Sequence, residues 1–314
     1  MNAVLEPAGE GRWRVPGFVD LHAHGGGGSS AEDGPDGIRR VLAAHRAHGT
    51  TRQLLSLVAN PIPALADCLA TIREVAAGEP QLVGAHLEGP FLAPARHGAH
   101  DPAHLVAPDP ASVSELIDAG RGVLRMVTLA PELPGALEAI RAFVAAGVVV
   151  AVGHTEASAE RVREAVDAGA RVLTHAFNAM PGIAGRAPGP LGAALADERV
   201  TIEVIADGIH VHPANLRWLL DAAPGRVAAV TDAMAAAGAA EGRYRLGGLD
   251  VDVAGGRAVV AGTAQLAGST LTLDRAIRVL VAAGVPLTAA VDAATFVPAR
   301  VLGIEPVGRV ELVL

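Results

Sequence analysis

Histidine and carboxylate side chains recur along this sequence directly after short apolar runs. The recurring positions are His22, His24, Glu88, His154, His175, Asp207, His210 and Asp232. Imidazole nitrogen and carboxylate oxygen suit zinc, iron, cobalt or manganese, and a set without thiolates is not typical of a structural zinc site. Such a metal lowers the pKa of a bound water from about 15.7 to about 7. These residue types therefore indicate metal-assisted hydrolysis of an amide or a similar bond.

The individual positions differ in how strongly they indicate a metal site or a catalytic role. A carboxylate that is not a tight ligand, such as Asp232, can take the proton of the attacking water and later deliver it to a leaving amine. The His-x-His pair His22 and His24 is weak evidence by itself, and its place after the first apolar run strengthens it. Glu88 alone could be an ordinary strand-end carboxylate, but the later histidines that follow apolar runs in the same phase favour metal ligation.

Apolar runs alternate with Ala-rich amphipathic stretches, which predicts repeated βαβ units and a parallel sheet. The predicted strands are Gly17–Leu21, Thr50–Val58, Gln81–Leu87, Val123–Leu129, Val148–Val152, Arg171–Thr174, Val200–Ile205 and Arg226–Val230. The predicted helices are Gly37–His48, Pro63–Ala77, Pro110–Ala119, Gly135–Ala146, Ser158–Ala168, Pro213–Asp221 and Thr270–Ala283. Eight such strands favour a (β/α)8 barrel over an open sheet. The carboxyl ends of barrel strands meet at one mouth, where the polar residues would converge.

Three segments depart from this alternation. Residues 89–109 form a long loop rich in Pro, His and Gly, and long loops in compact domains are usually functional. Residues 241–268 alternate in polarity with glycines between, which predicts one or two inserted β-hairpins. Val310–Leu314 is predicted to be a terminal strand that pairs near Val4 or Trp13.

The composition excludes several mechanisms. All 25 residues in the Lys+Arg total of this 314-residue chain are arginine. Without lysine there can be no Schiff-base lysine, no P-loop lysine and no carbamylated lysine between two metals. The formal net charge of −8 disfavours a nucleic-acid partner, because such proteins need a basic face. The single cysteine, Cys68, can form no intrachain disulfide and is expected to be a small buried helix residue.

Neither a signal peptide nor a membrane span is predicted. Residues 1–14 contain Glu6 and Glu10 and lack an apolar core. No apolar run reaches the roughly 18 residues that a membrane helix requires. We therefore expect a cytoplasmic protein without a membrane partner.

Three further histidines are open to other interpretations. His86 shares a strand face with Glu88, and support of a ligand or simple core packing explain it equally well. His45 and His48 lie on the first predicted helix, where we expect both to face solvent.

Six motifs occur in one order that is typical of a known family. They are Pro16-Gly-Phe-Val-Asp-Leu-His-Ala-His-Gly, His86-Leu-Glu-Gly-Pro-Phe-Leu, Gly153-His-Thr, Thr174-His-Ala-Phe-Asn-Ala-Met, Ala206-Asp-Gly-Ile-His-Val and Val230-Thr-Asp-Ala-Met. From Pro16 to Gly303 the chain closely resembles the N-acetylglucosamine-6-phosphate deacetylases of the amidohydrolase superfamily. The Leu-Glu-Gly-Pro-Phe and His-x-Phe-Asn-Ala-Met runs are much more specific than His-x-His, which the superfamily shares.

The resemblance implies a divalent metal, zinc or iron above all. Glu88, His154 and His175 match the ligands that members share. His22 and His24 match a pair that only some members keep, and this pair permits a second metal bridged by the glutamate. One or two ions are therefore expected. The absence of lysine agrees with this, because many relatives in the superfamily use a carbamylated lysine where this family uses the glutamate.

The resemblance also implies a reaction. Asp232 matches the catalytic acid/base, and His100, twelve residues after Glu88, matches the histidine that polarises the acetyl carbonyl. Metal-bound water would attack the acetamide of N-acetylglucosamine-6-phosphate and release acetate and glucosamine-6-phosphate. Groups around the sugar phosphate match Asn178, Ala179, Arg186 and His210. In the family part of this pocket comes from across a dimer interface, so a homodimer is expected.

One departure and two alternatives accompany this interpretation. Family members carry a longer N-terminal segment, which builds a small β-sandwich with the C-terminus. Here fifteen residues precede Pro16, so we expect a barrel over residues 16–303 and only remnants of that small domain in residues 1–15 and 304–314. The first alternative is an amidohydrolase for another N-acyl sugar or a cyclic amide. The second is a non-catalytic paralogue that binds a sugar phosphate, which the presence of Asp232 opposes.

Overall fold

The computed structural model of the protein describes residues 5–314. The strands are β1 (Glu6–Gly9), β2 (Arg12–Pro16), β3 (Phe18–Asp20), β4 (Gly25–Gly26), β5 (Ser29–Ser30), β6 (Thr50–Leu57), β7 (Leu82–Glu88), β8 (Leu124–Leu129), β9 (Val149–Val152), β10 (Val172–Leu173), β11 (Thr201–Ile205), β12 (Val227–Val230), β13 (Gly242–Leu246), β14 (Leu249–Ala254), β15 (Arg257–Val260) and β16 (Arg309–Val313). The helices are α1 (Gly34–Ala47), α2 (Ile62–Ala76), α3 (Pro110–Ala119), α4 (Ala136–Ala145), α5 (Ala159–Ala168), α6 (Gly189–Ala196), α7 (Pro213–Ala222), α8 (Leu273–Ala282), α9 (Leu287–Ala293) and α10 (Phe296–Leu302). Two single-turn 3-10 helices, Pro94–Arg96 and Pro102–His104, lie in the long loop after β7.

Eight parallel strands form one sheet that curves into a barrel. Their order is β3, β6, β7, β8, β9, β10, β11 and β12. Just beyond its two edge strands the sheet closes through a parallel bridge between Ala23 and Ala233, and the N–H of Asp232 donates to the carbonyl of His22 at 2.8 Å. The eight predicted strands coincide with these to within one residue at each end. The predicted α/β barrel is confirmed.

The helices bury one face against this sheet, as their apolar spacing requires. In α8 the buried residues are Leu273, Ala276, Ile277 and Leu280, which share one side of a 3.6-residue period. The strands are buried on both faces, and all four residues of β12 are buried. Truncation of a core leucine such as Leu280 to alanine would cost about 2–5 kcal/mol.

Besides the antiparallel pair of β4 and β5, two small antiparallel sheets lie outside the barrel. The first contains β1, β2 and β16, with Leu312 opposite Trp13, so the predicted pairing of the terminal strand near Trp13 is confirmed. The alternative partner, Val4, lies outside the described residues. The division of the chain into a barrel and remnants of a small domain stays a prediction. The second sheet is a meander of β13, β14 and β15 within the predicted insertion.

Three helices were not predicted, and two side chains lie elsewhere than expected. The missed helices are α6, α9 and α10, and the sequence of α6, GPLGAALA, has no amphipathic period that could mark it. His45 is buried rather than solvent-facing, and its Nε2 donates to the carbonyl of Gly25 at 2.9 Å. This packing needs Gly26, because a Cβ there would lie 2.9 Å from that nitrogen. Cys68 lies on α2 but is only partly buried.

Within residues 5–314, every helix is too short or too polar to cross a membrane.

Candidate metal centre and active site

Six polar residues at the carboxyl ends of the barrel strands converge on one mouth. Each is less than 10% exposed. Their ligand atoms form two groups, each with all atoms within 4.8 Å of one another. The first is the Glu88 group, which contains Glu88 at the end of β7, His154 after β9 and His175 after β10. The second is the His22 group, which contains His22 and His24 after β3 and Asp232 after β12. The structure thus brings together the residues whose positions just after the predicted strands indicated a metal site.

Glu88 lies between the two groups and contacts both. Its Oε1 is 2.9 Å from Nε2 of His175 and 3.1 Å from Nε2 of His154. Its Oε2 is 3.2 Å from Nε2 of His24. Oε1 also lies 3.5 Å from Nε2 of His22, so this one carboxylate reaches both groups and could bridge two cations.

Asp232 completes the His22 group from β12, the edge strand that meets β3 where the barrel closes. Its Oδ1 lies 3.3 Å from Nε2 of His24 and 3.5 Å from Nε2 of His22. It also lines the cavity at the barrel mouth. Asp232 therefore stands between the candidate ligands and the space that a substrate would occupy.

Hydrogen bonds orient two of the imidazole rings toward the cluster. Nδ1 of His154 donates to the carbonyl of Arg96 at 2.7 Å, and Nδ1 of His24 donates to the carbonyl of Ser56 at 3.2 Å. In a neutral ring whose Nδ1 is protonated, Nε2 carries a lone pair. When neutral, both rings would direct a lone pair into the cluster, as metal-binding histidines do.

The spacing of the imidazole nitrogens fits a metal ion. The Nε2 atoms of His154 and His175 are 3.1 Å apart, and those of His22 and His24 are 3.2 Å apart. In a tetrahedral zinc site with Zn–N bonds of about 2.0–2.1 Å, two ligand nitrogens lie about 3.3–3.4 Å apart. The donor set of imidazoles and carboxylates, without thiolate, agrees with the same class of metal.

The electrostatics of the cluster favour positive charge. Burial lowers the pKa of His24, but hydrogen bonds to Asp232 and Glu88 outweigh it and raise the pKa to about 9. Burial raises the pKa of Glu88, but the charges of His22 and His154 bring that pKa well below its usual range. Burial likewise opposes ionisation of Asp232, whose pKa is nevertheless lowered by the nearby histidines. The same field that stabilises imidazolium would stabilise a bound dication.

Backbone strain is concentrated at this mouth. The non-glycine residues with positive φ in residues 5–314 are His154, His175, Phe177, Ala179 and Asp232. Three of them are candidate ligands that directly follow or lie close behind a strand, where a left-handed residue turns the chain sharply. Such strained conformations persist only where the surrounding structure holds them, and they cluster at functional sites.

His100 reaches the cluster from the long loop after β7. Its Nδ1 accepts the N–H of Ala59 at 3.1 Å, which places the ring proton on Nε2. That Nε2 lies 3.2 Å from Oε2 of Glu88. Burial lowers the pKa of His100 to about 4. His100 is therefore a neutral imidazole with an N–H that can be donated to a ligand.

A cavity of about 430 Å³ opens above the cluster. Asn178, Ala179 and His210, three of the predicted sugar-phosphate residues, line it. Nδ1 of His210 donates to Oδ2 of Asp207 at 2.7 Å, which leaves Nε2 for a ligand. The structure thus places these three predicted residues beside the candidate metal ligands.

Arg186, the fourth predicted sugar-phosphate residue, is placed differently. It is exposed in the loop between Phe177 and α6 and is not among the residues that line the cavity. Arg96 and His97 of the long loop do line it. That loop needs Gly98, because a Cβ there would lie 2.9 Å from the ring of His154.

Glu203 and the loop after β15 were not predicted to belong to the site. Glu203 is fully buried in β11, with Oε2 3.4 Å from Nδ1 of His22. In the sequence, the only indication that Glu203 belongs to the site is that this acidic residue lies inside an otherwise apolar strand. Gln265 and Leu266, from the loop after β15, line the cavity.

His86 belongs to the layer beneath the cluster. Its Nδ1 lies 2.9 Å from Oγ of Ser56 and its Nε2 lies 2.8 Å from Oγ1 of Thr128. The backbone carbonyl of Ser56 orients His24. His86 therefore contacts Ser56, the residue that orients the candidate ligand His24, and it also packs the barrel interior. Both predicted roles, support of a ligand and core packing, apply.

Comparison with known proteins agrees with the fold and with the motifs. A sequence model of the amidohydrolase family matches residues 13–312. N-Acetylgalactosamine-6-phosphate deacetylase of Escherichia coli O157:H7 is 40% identical over 93% of this chain and 78% of its own length. N-Acetylglucosamine-6-phosphate deacetylase of Homo sapiens is 38% identical over 94% of this chain and 76% of its own length.

Solved structures give the same result. N-Acetyl-D-glucosamine-6-phosphate deacetylase from Mycobacterium smegmatis superimposes with a TM-score of 0.90 at 47% identity, covering 96% of this chain and 81% of that one. A point mutant of that enzyme in complex with N-acetyl-D-glucosamine-6-phosphate gives a TM-score of 0.89 at 48% identity, covering 93% of this chain and 78% of that one. The expected family is confirmed: this chain belongs to the amidohydrolase family and, within it, to the N-acetylglucosamine-6-phosphate deacetylases.

Proposed function

We propose that this protein hydrolyses the acetamide of N-acetylglucosamine-6-phosphate to glucosamine-6-phosphate and acetate, with Asp232 as acid/base. The observation that carries the proposal is the position of Asp232. Its carboxylate contacts the His22 group at 3.3 and 3.5 Å and faces the same cavity as His100. A proton acceptor and a neutral N–H donor thus flank one space beside a set of metal ligands.

Asp232 and His100 divide the proton chemistry between them. Asp232, ionised because its pKa is lowered, accepts a proton from the attacking water and returns it to the sugar nitrogen as the C–N bond breaks. His100 donates its Nε2–H to the acetyl carbonyl oxygen, where negative charge develops. Since Ala59 holds the other ring nitrogen, His100 keeps this donor without being protonated further.

The metal would be zinc or iron, held as one or two ions. Glu88, His154 and His175 would hold the first ion, and His22 and His24 with Glu88 the second. When bound, the metal supplies Lewis acidity that activates water and polarises the carbonyl. The two faces of Glu88, at 2.9 Å from His175 and 3.2 Å from His24, support the two-ion form.

The phosphate would be bound by a few local groups, since the net charge of −8 attracts no anion. Asn178, Ala179 and His210 line the cavity, and the backbone N–H of Ala179 would be a donor to the phosphate. Arg186 would contribute its guanidinium across a homodimer interface, in line with its exposed position. We also propose a cytoplasmic location for the enzyme.

The 4-epimer is the second candidate substrate. The specific observation in its favour is the 40% identity to a relative named as an N-acetylgalactosamine-6-phosphate deacetylase. The two sugars differ only in the direction of one hydroxyl, so the metal centre and the phosphate groups would serve either.

Acetate release by the purified protein, with its metal content measured, tests the proposal. We expect the highest kcat/KM with N-acetylglucosamine-6-phosphate, a lower value with the 4-epimer, and a loss of at least about 10²-fold with unphosphorylated N-acetylglucosamine, because each charge-assisted hydrogen bond contributes about 1.5–3 kcal/mol. Equal rates with and without the phosphate would point to another N-acyl substrate. No acetate release from a fully metal-loaded sample would point to a binding protein.

A further inference from the structure

One buried carboxylate beneath the ligand cluster takes no part in the proposed reaction. Glu203 lies in β11 and is 0% exposed. Its Oε2 is 3.4 Å from Nδ1 of His22 and 3.4 Å from the backbone N of His175. Its Oε1 has no hydrogen-bond partner within residues 5–314.

A carboxylate in such surroundings is costly for the fold. Burial of a charged or polar group without full hydrogen bonding is unfavourable, and native proteins rarely retain one without a use. Within residues 5–314, both hydrogen bonds of the Glu203 carboxylate are with candidate metal ligands, and the one to a side chain is with His22. The use of Glu203 is therefore to be sought at that ring.

The other oriented ligand rings rely on the backbone. Nδ1 of His24 donates to the carbonyl of Ser56 and Nδ1 of His154 to the carbonyl of Arg96. For Nδ1 of His22, the acceptor recorded within residues 5–314 is a side chain, Glu203. The orientation of His22 therefore depends on one residue that can be substituted.

We propose that Glu203 is a positioning residue that accepts the Nδ1–H of His22, so that Nε2 of His22 faces the cluster as a ligand for the second metal. A carboxylate, an imidazole and a metal in line form an arrangement that fixes the ring and raises the basicity of the ligand nitrogen. Nε2 of His22 is 3.2 Å from Nε2 of His24 and 3.5 Å from Oε1 of Glu88, where a shared ion would lie. The inference rests on the two-ion form of the proposed function.

Two variants of Glu203 separate the effect of its hydrogen-bond acceptor from the effect of its negative charge. Glu203→Met removes the acceptor oxygens at similar length, whereas Glu203→Gln keeps one acceptor oxygen without the charge. Thr295→Val is the matched control, because it also removes a fully buried hydroxyl. That hydroxyl donates to the carbonyl of Val291 in α9, which is not a candidate ligand.

The measurement is a titration of the metal-free, full-length protein with Zn²⁺ against a competing chelator, which resolves a first and a second binding step. We expect Glu203→Met to weaken the second step about 10–100-fold, the usual effect of removing a partner of a ligating histidine. The first step should stay unchanged, Glu203→Gln should lie between Glu203→Met and the wild type, and Thr295→Val should match the wild type.

Nuclear magnetic resonance of the Zn²⁺-loaded protein gives a second readout that a merely structural role would not move. In the wild type the Nδ1–H of His22 should be protected from exchange with solvent, and in Glu203→Met this signal should be lost. Two wild-type steps with an unchanged second step and an unchanged Nδ1–H in Glu203→Met would overturn the inference. A wild type that binds fewer than two Zn²⁺ would instead overturn the two-ion centre on which it rests.

Discussion

The two ligand groups at the barrel mouth are built differently. The Glu88 group comes from the neighbouring part of the sheet, β7 to β10, and its polar atoms lie 2.9–3.1 Å apart. The His22 group spans the seam where β3 meets β12, and its contacts are 3.2–3.5 Å. Ligands within one continuous run of paired strands move together, whereas ligands on the two edge strands depend on closure of the sheet. We therefore expect the Glu88 group to hold its metal more tightly than the His22 group.

The largest effect should follow from Glu88→Gln, because this side chain contacts both groups. The charge that favours cations in either group is lost, so both Zn²⁺ steps should weaken and turnover should fall by about 10⁴-fold or more, since metal catalysis supplies several kcal/mol. Metal analysis with acetate release would show this. Full occupancy of both groups in Glu88→Gln would refute the bridging geometry.

Asp232→Asn should separate chemistry from metal binding. The amide cannot accept the proton of the water, so turnover should fall about 10²–10⁴-fold. The Glu88 group should keep its zinc, as measured by metal content. Turnover close to that of the wild type would remove Asp232 from the acid/base role.

A pair of matched substitutions tests the comparison directly. His175→Asn removes a ligand from the Glu88 group and His24→Asn removes one from the His22 group. We expect His24→Asn to retain one tightly bound Zn²⁺ and some activity, and His175→Asn to weaken the tighter step and lose more activity. The reverse order in the Zn²⁺ titration would mean that the seam holds the stronger site.

The smallest effect concerns stability, at a histidine beside the seam but outside the cluster. Burial lowers the pKa of His45 below the ordinary histidine value of about 6.5. Below that pH the unfolded chain binds a proton that the folded state refuses, so the free energy of unfolding falls as the pH falls, by at most about 1.4 kcal/mol per pH unit.

Urea unfolding at several pH values would measure this dependence. His45→Gln should flatten this pH dependence relative to the wild type. An unchanged slope in His45→Gln would mean that His45 does not contribute to it.

Much of the site could be predicted because barrel strands end at one mouth. Glu88 and His154 were marked by their place at the ends of apolar runs, which is local information. Glu203 was missed because it lies inside such a run, and its contact with His22 joins residues 181 positions apart. The prediction that His45 faces solvent is wrong for a similar reason, because tertiary packing holds the loop around Gly25 against α1 and covers His45.

The sequence by itself determined the eight strands, the residue types at their ends and the absence of lysine, because hydrophobic periodicity and composition are properties of the chain. Tertiary structure alone decided that Glu88 contacts two groups at once, that Ala59 sets the tautomer of His100, and that Arg186 lies outside the cavity. These are distances between segments far apart in sequence. They depend on how the sheet closes and where its loops fold back, which no local pattern encodes.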